Sequence, residues 1–138
     1  MALAAVVAAA LALGVQPALA GDATRGLVSV SSKVTKQVAA DMSEPGRPVV
    51  HARCISVRAA ASSANWIYVS ASDASGCGNI DTVPTIMTRW QAGWNYVYGM
   101  KTTPTCKAMN KGTQSMFGPS APRSVRQDFR AAGLCTRT

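Results

Sequence analysis

Residues 49–71 read VVHARCISVRAAASSANWIYVSA, and this stretch decides the fold class. Over 49–59, Ile55 and Val57 fall at alternate positions with His51 and Arg53, so that these four side chains share one face. A repeat of two residues predicts a β-strand with one face turned toward a core. This is the strongest strand signal in the chain.

A second strand follows after a short connection. Residues 60–65 are small and polar, which predicts a hairpin turn. Residues 66–71 then alternate again, with Trp66 and Tyr68 on the face opposite two aliphatic side chains. The pair of strands predicts an antiparallel hairpin as the centre of the domain.

Patterns outside the hairpin predict the remaining elements. We expect a first strand near 27–35, a loop over 42–48 and another strand over 94–100. Thr82 as a cap and Gly93 as a stop predict a short helix over 82–92. Ser120 as a cap and Gly133 as a stop predict a last helix over 120–134.

This order of elements predicts one mainly β domain of the α+β class, stabilised by disulfides. Two architectures fit it: a small antiparallel sheet with flanking helices, or a partly open OB-like barrel. The helix expected between the third and fourth strands is compatible with the second, since an OB-like barrel has a helix at that place. The comparison is one of topology alone.

The first twenty residues are typical of a signal peptide. Residues 2–15 are almost continuously apolar, Pro17 interrupts them, and Ala18 and Ala20 suit a signal peptidase that cleaves before Gly21. The run is too short and too rich in alanine to favour a membrane anchor. We therefore expect a secreted or periplasmic protein whose mature domain spans 21–138, with no integral membrane association.

Four cysteines follow this segment, which predicts two disulfides in an oxidising compartment. Because near neighbours usually pair, we expect Cys54–Cys77 and Cys106–Cys135. No two cysteines have the close spacing of a zinc site, and the sequence holds a single histidine. No metal and no other cofactor is expected.

Positive charge is concentrated near the carboxyl end. The formal net charge is +8, and residues 101–138 carry seven of the basic side chains against one acidic residue, Asp128. Arg123, Arg126 and Arg130 recur at helical spacing and predict a cationic stripe that can bind carboxylate or phosphate groups. The alternative is a solvated helix face on which two of these arginines flank Asp128.

Aromatic residues form the second candidate binding feature. Trp94, Tyr96 and Tyr98 alternate along the strand expected at 94–100, so that they would share one face with each other, near Trp66. Such a face can stack on sugar rings or bases. The alternative is that these side chains pack in the core of a small sheet.

Catalytic signals are weaker than these recognition signals. If the chain is an enzyme, His51 would act as acid or base beside Arg53, with Glu44 as the partner carboxyl, as in a small basic nuclease. No spacing links these three groups.

The sequence thus favours a non-enzymatic binding domain for a glycan or another anionic surface, using Trp66, Trp94, Tyr96, Tyr98 and the three arginines. The alternatives are a small basic hydrolase that uses His51, or a secreted inhibitor of a host or competitor enzyme that presents the loop 101–119.

Overall fold

The computed structural model describes residues 26–77, 84–109 and 118–137. The candidate signal peptide therefore lies outside the described residues. In chain order the elements are β1 (Leu27–Ser29), α1 (Ser32–Met42), a 3₁₀ turn (Ala52–Cys54), β2 (Ile55–Ala60), β3 (Ser63–Ala71), β4 (Thr85–Trp90), β5 (Gly93–Gly99) and α2 (Arg123–Ala131).

The five strands form one open antiparallel sheet in the order β1-β2-β3-β4-β5, in which every strand pairs with its neighbour in the sequence. The hairpin predicted over 49–71 is confirmed from Ile55 onward, where Val57 pairs with Val69 and Arg58 pairs with Tyr68. The strand predicted to begin at residue 49 is wrong over 49–54, because Ala52–Cys54 form a 3₁₀ turn, so that His51 and Arg53 are not on a strand. The observed architecture is thus the small, disulfide-stabilised antiparallel sheet with flanking helices, and the sheet is open.

A helix covers each face of this sheet. On the α1 face, Val38 and Met42 of the helix pack with Ile67 and Met87 of the central strands. On the α2 face, Val125 and Phe129 are fully buried against a cluster that includes Trp66 and Ile86. Because β3 and β4 are covered on both sides, their side chains are buried at consecutive positions.

This double burial explains why the helix predicted over 82–92 is wrong where the structure describes it. Residues 85–90 form β4, in which Thr85, Ile86, Met87 and Thr88 are all buried. A strand buried on both faces shows a continuous apolar run that resembles a buried helix segment. With this helix replaced, the main argument for an OB-like barrel is removed.

The connection between β4 and β5 is a two-residue turn rather than a helix stop. Gln91 and Ala92 have φ angles of 49° and 67°, and Trp90 pairs with Gly93 across the turn. Two positive φ angles define a type I′ turn, which favours asparagine and glycine. Since neither residue is present, the sequence carried no hairpin signal here.

The strand expected near 27–35 is only partly correct. β1 ends at Ser29, and α1 begins at Ser32 with Ser31 as its N-cap, whose hydroxyl accepts a hydrogen bond from the Val34 N–H at 3.3 Å. Val34, Val38 and Met42 recur at four-residue spacing, which is the helical signal that the alternating valines obscured. The loop expected after Met42 is present.

The last helix is shorter at its start than predicted. Pro122, not Ser120, is the N-cap, while Gly133 with φ 74° ends the helix as expected. Gly26 packs closely against the backbone of this helix: a Cβ added there would overlap the backbone carbonyl oxygen of Asp128. The start of β1 is thereby fixed against α2.

Both expected disulfides are present. Cys54 and Cys77 have Cα atoms 5.4 Å apart, and those of Cys106 and Cys135 are 5.0 Å apart. Disulfides of this kind are typical of proteins that fold outside the reducing cytoplasm. Among the described helices, none is long and apolar enough to cross a bilayer.

Candidate functional site

An open pocket of about 300 Å³ lies beside α2 and is lined by arginines. Three of them are the ones expected from the sequence, and the fourth comes from the chain after Cys135. Its lining residues are Cys106, Arg123, Arg126, Gln127, Arg130 and Arg137.

The fold turns the arginines outward by burying the opposite side of the helix. Val125 and Phe129 are fully buried in the α2 core cluster. With 3.6 residues per turn, burial of these positions directs residues 123, 126 and 130 toward solvent and the pocket. The cationic stripe is thus brought together, along about 10 Å of helix axis at 1.5 Å per residue.

Asp128 does not neutralise these arginines. Its Oδ2 atom accepts hydrogen bonds from the Ser62 N–H, at 2.8 Å, and from the Ser62 hydroxyl in the β2–β3 turn. Among the described residues the one ion pair joins Arg47 to Glu44. Asp128 therefore does not pair with Arg126 or Arg130, as one alternative suggested, and the four guanidinium groups have no carboxylate partner among the described residues.

Arg137 was not among the predicted site residues. It follows Cys135, whose disulfide to Cys106 ties the end of the chain to the segment at 104–106. Two backbone hydrogen bonds support this link: Cys106 N–H to the Thr136 carbonyl and Thr136 N–H to the Pro104 carbonyl, both 2.9 Å. The expected disulfide was the signal that could have placed Arg137 beside the helix.

The aromatic residues of β5 do not share one face. Met87 pairs with Tyr96 and Ile86 pairs with Tyr98, so a bulge at Val97 shifts the alternation. Tyr98 consequently packs on the α2 face, whereas Tyr96 is on the α1 face. The prediction of one shared face holds for Trp94 and Tyr96, which lie on the α1 face, and is wrong for Tyr98, because an inserted residue reverses the side chains beyond it.

Both tryptophans that were predicted to bind a ligand are core residues. Trp66 is 3% exposed and Trp94 is 5% exposed. The Trp94 backbone N–H donates to Asp41 Oδ2 at 2.9 Å, which joins β5 to the end of α1. The Trp94 indole N–H is buried without a hydrogen-bond partner in the described part of the chain. Neither ring offers a face on which a sugar could stack.

Tyr96 remains accessible, at 45% exposed, but it lies away from the arginine pocket on the α1 face. Partial burial raises the pKa of Tyr96, the negative charge of Glu44 raises that pKa further, and Arg47 opposes the effect. Trp90, 40% exposed at the β4–β5 turn, is the other accessible aromatic residue of this hairpin. The exposed aromatics therefore do not form one platform.

The groups of the nuclease alternative are not assembled. His51 is exposed and precedes the 3₁₀ turn, where its carbonyl accepts from the Cys54 N–H at 2.8 Å. Glu44 is paired with Arg47 at 3.1 Å, and no hydrogen bond joins it to His51 or Arg53. Within residues 26–77, 84–109 and 118–137, no group of three potential metal ligands gathers.

No family model, no curated protein and no solved structure matches this chain.

Proposed function

We propose that this protein is a non-enzymatic binding domain that holds an acidic glycan in the four-arginine pocket beside α2. The observation that carries the proposal is the set of four guanidinium groups gathered around one open pocket, with no carboxylate partner among residues 26–77, 84–109 and 118–137. Bidentate hydrogen bonds from arginine suit the planar carboxylates and the sulfates or phosphates that acidic glycans carry.

Binding without catalysis follows from the chemistry of the described lining residues. The four guanidinium groups are hydrogen-bond donors only, the Gln127 amide does not ionise, and Cys106 is held in a disulfide. None of these groups is suited to accept a proton from a substrate or to attack it. The described lining can therefore bind and orient an anion, and no general acid or base is found among its residues.

The arrangement of the pocket favours a ligand with several charged groups. Its four guanidinium groups line one open pocket of about 300 Å³, so they can pair with more than one anionic group at a time. No aromatic residue is found among the described residues that line the pocket, and single-stranded nucleic acids are usually bound on aromatic stacking surfaces. These two features favour an acidic oligosaccharide segment over a nucleic acid.

Calorimetric titration with a galacturonate hexamer tests the proposal. We expect Arg126→Gln and Arg130→Gln each to weaken binding about tenfold, because each removes a charge-assisted hydrogen bond worth about 1.5 kcal/mol. Affinity should fall as salt is added, since the interaction is ionic. A neutral maltohexaose of equal length should not bind.

Arg89→Gln is the matched control. It removes the same charge from an exposed arginine of β4 that pairs with Trp94 on the α1 face, away from the pocket. We expect its effect on affinity to be less than twofold, in line with a screened distant charge. Equal losses at positions 89 and 126 would show a general charge effect and would contradict a specific pocket.

A further inference from the structure

The Cys106–Cys135 disulfide is part of the wall of the arginine pocket. Cys106 lines the pocket and is half-buried, whereas Cys135 is buried in the α2 core cluster. Arg126 is near both, because its carbonyl oxygen lies 3.9 Å from Cys135 Sγ. A reagent approaching from the pocket therefore meets the Cys106 side of this bond.

The same disulfide holds one of the four arginines in place. Arg137 belongs to the segment after Cys135, and the disulfide is the covalent link between that segment and residues 104–106. The Thr105–Thr136 bridge adds two backbone hydrogen bonds but no buried apolar side chain of its own. Breaking the disulfide would therefore loosen the position of Arg137 more than that of the helical arginines.

From these two observations we propose that anion binding and reduction of Cys106–Cys135 oppose one another, so that each disfavours the other. This inference rests on the proposed function, because it concerns regulation of the same pocket. A bound polyanion covers Cys106 and repels thiolates, which protects the bond. A reduced chain lacks a fixed Arg137 and binds the anion less tightly.

The reductant is a dithiol, and the exchange balances as follows. A thiolate of the dithiol attacks Cys106 Sγ, the Cys106–Cys135 bond breaks, and its electron pair leaves on Cys135, which takes up a proton. The second thiol of the reductant then closes a disulfide within the reductant and releases Cys106 as a thiol. The protein gains two electrons and two protons, and the dithiol is oxidised.

The empty pocket favours this reaction by its charge. Guanidinium groups attract the incoming thiolate and stabilise the Cys106 thiolate that is released in the second exchange. Occupation by a polyanion removes both effects. By thermodynamic linkage, the factor by which oxidation tightens ligand binding is also the factor by which the ligand favours the oxidised form.

A protection experiment tests the first half of the proposal. The purified chain is treated with dithiothreitol, with and without the galacturonate hexamer, and free thiols are alkylated and located by mass spectrometry. With ligand at ten times its Kd, we expect reduction of Cys106–Cys135 to slow by about tenfold. Cys54–Cys77, which lies outside the pocket lining, is the internal control and should be unaffected. Equal rates with and without bound ligand would overturn the proposal.

A binding experiment tests the second half. The variant Cys106→Ser with Cys135→Ser should bind the hexamer about tenfold more weakly than the oxidised chain, and Arg137→Gln alone should reproduce most of that loss. Adding Arg137→Gln to the serine variant should then change little. The variant Cys54→Ser with Cys77→Ser controls for loss of a disulfide elsewhere.

The outcomes separate this inference from the proposed function. If the oxidised chain does not bind the hexamer, the proposed function fails. If it binds, but the serine variant of the pocket disulfide binds equally well, this inference alone fails. Circular dichroism shows whether that serine variant is folded. If it is unfolded, the binding of Arg137→Gln and the protection experiment still test this inference.

Discussion

At the scale of single residues, position 26 has the strongest requirement for glycine. Its φ of 82° lies in the left-handed region, and a Cβ would overlap the Asp128 carbonyl oxygen. We expect Gly26→Ala to lower the free energy of unfolding by about 3 kcal/mol, combining backbone strain with the need to displace α2. Urea denaturation measures this loss.

Gly46→Ala is the matched substitution. Gly46 has a φ of 81°, but no atom lies within 4 Å of the Cβ that it would carry. The change should therefore cost only the backbone strain, about 1 kcal/mol. If both variants are destabilised equally, the close approach between β1 and α2 is not what requires glycine at position 26.

At the scale of elements, the β4–β5 turn has a geometry that its sequence does not favour. Gln91 and Ala92 both adopt positive φ, where asparagine and glycine are preferred. We expect Gln91→Asn combined with Ala92→Gly to raise the free energy of unfolding by about 1 kcal/mol. Urea denaturation of this double variant and of the unchanged protein checks the prediction. A loss of stability would show that the turn is not type I′.

The elements also show which features of the fold could be predicted from the sequence. The β2–β3 hairpin was predictable because each strand has one dominant apolar face, and the disulfide pairs because they join near neighbours. β4 was not predictable as a strand, because burial on both faces removes the alternation of apolar and polar residues. The arginine stripe was predictable from helical spacing. The division of the β5 aromatics between two faces was not predictable. It depends on the bulge at Val97, which arises from pairing with β4 and which no local pattern of residues reveals.

At the scale of the whole molecule, the two helices bury Trp66 and Trp94 on opposite faces of the sheet, and Trp90 alone of the three is substantially exposed. We expect acrylamide to quench mainly Trp90, so that Trp90→Phe leaves an emission that is blue-shifted and weakly quenched. Because stacking is not part of the proposed site, the galacturonate hexamer should leave this residual emission unchanged. Strong quenching in Trp90→Phe would contradict the burial of the other two rings.

The disulfides follow the order of the chain, with the first cysteine joined to the second and the third to the fourth, over separations of 23 and 29 residues. A chain that emerges from its amino end can therefore close the first bond before the third sulfur appears. Because each cysteine pairs with the next one along the chain, both bonds can form in chain order without a later exchange of partners.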